Sequence, residues 1–325
     1  MDWLQQRFGL ESLAAVGHRI VHGGPKFYQP QRISGDVVEE LRRFSPFYPE
    51  HLPSELMLIE AIEKQIPALP QVACFDTHFH HDLPRVASML PIPRRYEAQG
   101  VQRYGFHGLS YEYLMQELER VAGTEATQGR LILAHLGNGT SLAAVRYGKS
   151  VDTSMSFTPT AGMPMSTRAG DLDPGLVGYF SRSEGMTADQ FHEIVNSKSG
   201  LLGISETSSD MQELLDRETQ DVRAAEAVAM FCYEIKKRIG AYAAALGGVD
   251  TLVFTGGIGE NAPLIRSRVC EGLDFIGIKL DHARNSRGAD VISIDESRVT
   301  VRVIPADEVQ MIARAACAVL SMPLN

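Results

Sequence analysis

Two glycine turns, two arginines in glycine-flanked segments, an aspartate at the end of an apolar run and a histidine beside an aromatic ring are the residues of this sequence best suited to chemistry on an anion. The first turn lies in LILAHLGNGTSLAAV, where Gly137-Asn138-Gly139 separates two apolar runs, with His135 before it and Thr140 and Ser141 after it. Asn-Gly between such runs predicts a hairpin. A turn needs neither an imidazole nor two hydroxyls, so the composition also fits a turn that holds something. The second lies in TLVFTGGIGENAPLI, where an apolar strand runs into Gly256-Gly257-Ile258-Gly259 and a helix is predicted from near Asn261. Glycines there let the chain turn sharply and offer N–H groups to an anion at a helix N-terminus. The pattern is neither GxGxxG nor a Walker A loop, and a plain strand-to-helix connection explains it equally well.

The segment from Val151 to Gly175 is long, irregular and rich in hydroxyls, and it carries Arg168 in a Ser-Thr-Arg-Ala-Gly-Asp context. Loops of this length without secondary structure are functional or disordered, and the methionines and prolines here argue against disorder. A surface ion pair is the ordinary fate of an arginine, but among glycines a planar donor fork for phosphate or carboxylate is the better reading. Asp76 follows an apolar run in VACFDTHFHHDLP, where α/β folds place catalytic groups. His78, His80 and His81 invite a metal reading. Neighbours on an extended chain face opposite ways, so at most His78 and His80 could share an ion, and a solvated loop suits His78 and His81 better. His107 stands between Phe106 and Gly108 and taken alone reads as a packed histidine; Arg19 precedes Gly23-Gly24 in GHRIVHGG. Together these are the parts phosphoryl transfer needs: arginines and an imidazolium for charge, backbone amides for nucleotide phosphates, carboxylates for Mg²⁺.

Those parts need elements to position them. A chain of 325 residues exceeds what one core usually supports, so two domains are expected. Strand-like runs (LAAVGHRIVHGG, QVACFDTHF) alternate with helical ones. In SELMLIEAIEKQI, Leu56, Ile59, Ile62 and Ile66 recur at helical spacing. LILAHL, SLAAVRYG and KSVDTSM predict a β-meander, AAEAVAMFCYEIKKRIGAYAAALGG one long helix, and VTVRVIPADEVQMIARAACAVL a strand, turn and helix. The alternation predicts an α/β fold. A net charge of −9 argues against a nucleic-acid surface. Four scattered cysteines form no CxxC pair, which argues against zinc and disulfide frameworks. With no signal-peptide pattern in the first residues and no apolar run of membrane-spanning length, a cytoplasmic protein without a membrane partner is expected.

With these residues in view, the chain resembles the acetate kinase family. The matching segments are GHRIVHGG, FDTHFH, RYGFHGLSY, HLGNGTSLAAV, VDTSMSFTPTAGMPMSTRAGDLDPG, SGLLGISETSSD, VFTGGIGENA and IPADEVQMIA, in the family's order from about residue 16 to the end. The resemblance implies a two-domain actin-like ATPase (ribonuclease H-like) fold. Residues 1–79 would form the first domain, rejoined by 309–325, and 80–308 a nucleotide-binding second domain. It implies reversible transfer of the ATP γ-phosphoryl to a short-chain carboxylate, giving ADP and an acyl phosphate, with ATP and Mg²⁺ as cofactors and a homodimer as the usual state. By position, Arg19 would hold the acyl substrate, Asp76 would be the catalytic carboxylate, and His107 and Arg168 would stabilise the transition state. His135, Leu136, Gly137, Asn138 and Gly139 would contact the nucleotide phosphates. Gly257, Ile258, Gly259, Glu260 and Asn261 would form the second nucleotide loop, and Glu308 would serve the metal.

Three departures accompany the resemblance. The family's N-x-G-S-S-S-x-K strand and turn would precede Met1, so the first domain is expected to be incomplete. The family's PLHNP turn is matched to SPFYPEHLP, with Phe47 or Tyr48 where a histidine is expected and His51 displaced. The nucleotide-contacting D-C-R is Asp210-Met211-Gln212, whose glutamine cannot act as a cation. The first departure motivates an alternative: a weakly active or inactive nucleotide- or acyl-phosphate-binding remnant.

Overall fold

The computed structural model describes residues 6–7, 9–45, 48 and 50–323. Two sheets organise it. The first contains β1 (Val16–Ile20), β2 (Gln31–Arg32) and β3 (Gln71–Phe75) in the order β1-β3-β2, with β1 parallel and β2 antiparallel to β3. The second contains β4 (Arg130–Leu136), β5 (Thr140–Arg146), β6 (Lys149–Thr153), β7 (Thr251–Thr255) and β8 (Thr300–Val303) in the order β6-β5-β4-β7-β8. The expected meander is β4-β5-β6, and β7 and β8 extend it in parallel.

Side-chain alternation on β3 explains how the first sheet is covered on both faces. Ala73 and Phe75 join the cluster of Leu41, Leu52, Leu56 and Ile59, from helices α1 (Gly35–Phe44) and α2 (Leu52–Gln65). Val72 and Cys74 face the other way, onto Leu109 of α3 (Gly108–Ala122) and Ala316 of the last helix, Glu308–Leu320. The chain's end therefore packs on its first sheet.

The helices around the second sheet include α4 (Met211–Arg217), α5 (Val222–Leu246), α6 (Gly256–Asn261) and α7 (Pro263–Cys270). The last helix is α8. The long helix α5 starts on the Asp221 side chain, which accepts from the Arg223 N–H, and stops at Gly247, whose φ of +71° suits a residue without Cβ. Its buried residues, among them Val228, Phe231, Ile235, Ile239 and Leu246, recur every three to four positions, forming one apolar stripe that joins the main core with Ile132, Ala134, Leu142 and Leu252. Among the described residues no helix is long and apolar enough to cross a membrane.

Candidate active site

The loops after β1, β3, β4, β7 and β8 converge on one cleft of about 840 Å³. Parallel strands aim their carboxyl ends at the same place, which is where open α/β sheets bind ligands.

On the first-sheet side the cleft is built from charge. Asp76 directly follows β3, is fully buried, and its main chain is fixed by donation to the Ile20 carbonyl (3.0 Å) and acceptance from the Gly108 N–H (2.7 Å). Arg19 donates to its Oδ2, while Oδ1 is buried without a hydrogen-bond partner among the described residues. Burial pushes the Asp76 carboxyl up, against the opposing pull of Arg19. Arg19 also lies 3.8 Å from Glu308, the first residue of α8, whose carboxyl is raised by burial and by Asp76. Asp76 chiefly holds Arg19 in its charged form. Glu55 accepts the Val21 N–H at 3.2 Å, and burial pushes its carboxyl up to about 7.

No group of three or more His, Cys, Asp or Glu side chains among the described residues could hold a metal on its own. Mg²⁺, however, takes one or two protein carboxylates and completes its shell with phosphate and water. The unpartnered Oδ1 of Asp76 and the adjacent Glu308 supply hard oxygens of that kind, so the residues present fit the ion.

The opposite side is built from glycine turns and neutral rings. The β4–β5 turn is closed by a Gly137 N–H to Gly139 carbonyl bond of 3.1 Å and by the Thr140 hydroxyl on the Gly137 carbonyl. A Cβ on Gly139 would lie 3.1 Å from His107 Nε2 and 3.4 Å from Arg168 Nη1, so these three elements meet at the tip. His107 caps α3 in the left-handed region (φ +59°) and stacks on His135 at 4.2 Å. Burial carries His107 well below its ordinary value, helped by His135, Arg19 and Arg168, and lowers His135 to about 4. Both rings are therefore neutral, and the expected imidazolium is corrected to an uncharged imidazole. Arg168 donates to the Pro159 carbonyl at 3.3 Å and is lowered by burial and by Arg19. It forms no ion pair among the described residues.

The second glycine turn differs from expectation. The helix begins at Gly256, not near Asn261: Gly256 takes φ +77°, and a Cβ there would sit 2.7 Å from the Leu136 carbonyl oxygen. The glycines are thus the first turn of α6, locked against the end of β4. Glu260 lines the cleft but commits its Oε1 to the protein. It turns back to accept from the Gly256 N–H (2.8 Å), the Thr255 hydroxyl (3.1 Å) and the Ala306 N–H (3.2 Å), holding the turn against the chain that leads into α8. Asn261 donates to the Gly257 carbonyl at 3.0 Å.

Of the expected residues, Arg19, Asp76, His107, His135, Gly137, Asn138, Gly139, Arg168, Asp210, Met211, Gln212, Gly257, Ile258, Glu260, Asn261 and Glu308 line the cleft. Leu136 and Gly259 stand behind its wall: Leu136 is core, and the Gly259 carbonyl is taken by buried Arg266. Asp210 spends one oxygen capping α4 through the Glu213 N–H, and Gln212 binds Asp216. His80 is a packed residue, bonded to Ser150 and the Phe106 carbonyl.

The wall also holds residues outside the expected set, among them His51, Glu55 and the apolar Val21, Phe106 and Pro159. His51 corrects the reading of SPFYPEHLP. The Pro-x-His-x-Pro spacing is satisfied by Pro49, His51 and Pro53, and the ring stands in the cleft, lowered by burial and by Arg168. Phe47 lies outside the described residues. Tyr48 is buried away from the cleft, donating to the Phe157 carbonyl at 2.7 Å and stacked on His22.

The comparisons with known proteins agree with this geometry. The family model described as the acetokinase family matches residues 4–314. An acetate kinase of Rhodopseudomonas palustris is 47% identical over 316 residues, covering 97% of this chain and 79% of that protein. One from Symbiobacterium thermophilum is 48% identical, covering 94% and 77%. The solved acetate kinase of Porphyromonas gingivalis superposes with a TM-score of 0.89 at 43% identity, covering 96% of this chain and 79% of that one. A propionate kinase of Francisella tularensis superposes at 0.92 with 36% identity, covering 97% and 81%. Nothing found favours an inactive remnant, and the fold is the two-domain actin-like ATPase fold of these enzymes. A cleft of this construction, matched along nearly its whole chain, makes this protein a member of the acetokinase family.

Proposed function

We propose that this chain reversibly transfers the γ-phosphoryl of ATP to a short-chain carboxylate, forming ADP and an acyl phosphate. The observation that supports it best is the meeting of Arg168, the His107 Nε2 edge and the Gly139 turn opposite Arg19 and Asp76. Phosphoryl transfer asks a protein for position and charge rather than covalent chemistry. Arg19 binds the substrate carboxylate, with the apolar tail against Val21, Phe106 and Pro159. Arg168, His107 and His51 donate to the oxygens on which charge builds. Backbone N–H groups at Gly137–Gly139 and at the start of α6 hold the nucleotide phosphates. Acetate kinases use ATP with Mg²⁺; here Asp76 and Glu308 would hold that ion, which neutralises phosphate charge when bound.

The same reading includes domain limits of 1–79 with 309–325 and 80–308, a homodimer, and a cytoplasmic location. The test is acetyl phosphate formation from ATP and acetate, trapped as the hydroxamate. Product well above a no-enzyme control is expected. ATP binding without product would overturn the proposal.

A further inference from the structure

We propose that Tyr111 and Ser141 fix the proton of His107 on Nε2, so that the neutral ring presents an N–H to the transferring phosphoryl; this rests on the phosphotransfer reading above. His107 and Tyr111 both come from the start of α3, and Ser141 comes from β5. Tyr111 and Ser141 are completely buried. The Ser141 hydroxyl lies 2.8 Å from His107 Nδ1 and is also bonded to the Tyr111 hydroxyl.

Counting protons along this chain sets its direction. Two hydroxyl protons must find acceptors, and among the described residues no other side-chain acceptor reaches either group. If His107 donated from Nδ1, the bond between Ser141 and Tyr111 could use only one of their two hydroxyl protons, and the other would be stranded in a dry site. In the opposite order Tyr111 donates to Ser141, Ser141 donates to Nδ1, and nothing is left unpaired. Neutral His107 then carries its proton on Nε2, the atom facing Gly139 and Arg168. His135 repeats the arrangement one ring away, its Nδ1 lying 2.8 Å from the Ser110 hydroxyl. Two stacked neutral rings avoid the repulsion that two imidazolium ions would suffer. Tyr111 and Ser141 are therefore positioning residues, acting through His107.

The experiment is ¹⁵N NMR of the imidazoles of the full chain at pH 7, with His107 assigned by its loss in His107→Gln, alongside kinetics of Tyr111→Phe and Ser141→Ala. The wild-type spectrum should show His107 protonated on Nε2 and accepting at Nδ1. Tyr111→Phe keeps the buried ring, and it should introduce an Nδ1-protonated population and lower kcat about tenfold with KM for ATP within twofold. Ser141→Ala should lower kcat similarly. A wild-type His107 protonated on Nδ1, or an unchanged kcat in both variants, would overturn the relay. A wild-type chain without turnover would strike the phosphotransfer reading and with it the step served by the N–H, while the spectrum still decides where the proton sits.

Discussion

The two walls of the cleft hold anions by different means. The first-sheet wall uses ionisable side chains (Arg19, Asp76, Glu308, Glu55) packed so closely that burial raises all three carboxyls while Arg19 opposes it at each. The second-sheet wall uses mostly main chain: two glycine turns whose N–H groups need no titration, backed by histidines that burial keeps neutral, with Arg168 as its one cation among the described lining residues. Charge that must respond to a reacting group stands on one side. Fixed dipoles that grip a phosphate chain stand on the other. Substitutions should therefore separate, with charge removal, on the first wall or at Arg168, lowering turnover and added bulk at the glycine turns disturbing geometry and binding.

The largest effect is expected at Asp76. Asp76→Asn keeps the shape but removes the charge that holds Arg19, and kcat should fall by ~10²–10³-fold, the scale of losing one transition-state contact. Steady-state kinetics checks this, and a loss confined to KM would contradict the division between walls. The second wall should be sensitive by position. Gly139→Ala places a methyl against His107 Nε2 and Arg168 Nη1 and should lower kcat/KM by roughly tenfold, about 1.4 kcal/mol. Gly240→Ala, in α5 outside the cleft lining and with room for a methyl, should stay within about twofold. Equal effects at the two glycines would break the geometric argument.

Glu55 gives a smaller, pH-dependent effect. A carboxyl raised in the folded state to about 7 binds protons there that the unfolded chain has released above its ordinary value near 4.5. Stability must then fall as pH rises through that window. Glu55→Gln should abolish this share of the decline, on the order of 2 kcal/mol between pH 5 and 8, as read from urea midpoints. Asp76 and Glu308 decline alike in both proteins, so the difference isolates Glu55.

How legible the site was follows from the kind of interaction that made each part. Continuous apolar runs marked β3, β4 and β7, and Asp76 stands where the run ends. The glycine turns declared themselves by composition. The polar pair Gln31–Arg32 carries no strand signal, since its pairing with β3 comes from tertiary contact. His51 was misplaced because its segment holds three prolines and only one spacing puts the ring in the cleft. Glu260 looked like a ligand because a carboxylate beside glycines has two places to turn, and only the fold shows the Gly256 and Ala306 N–H groups waiting for it. The neutrality of His107 depends on burial and on two distant arginines, which no local pattern encodes.

Arg168→Ala tests the account most directly, through kcat for acetyl phosphate formation measured beside the Kd for ATP. Among the described residues Arg168 is a cleft arginine without a carboxylate ion-pair partner, and its work is assigned to the transferring phosphoryl alone. In this variant kcat should fall ~10²–10³-fold while the ATP Kd moves less than about threefold. Equal losses in kcat and ATP affinity would contradict it.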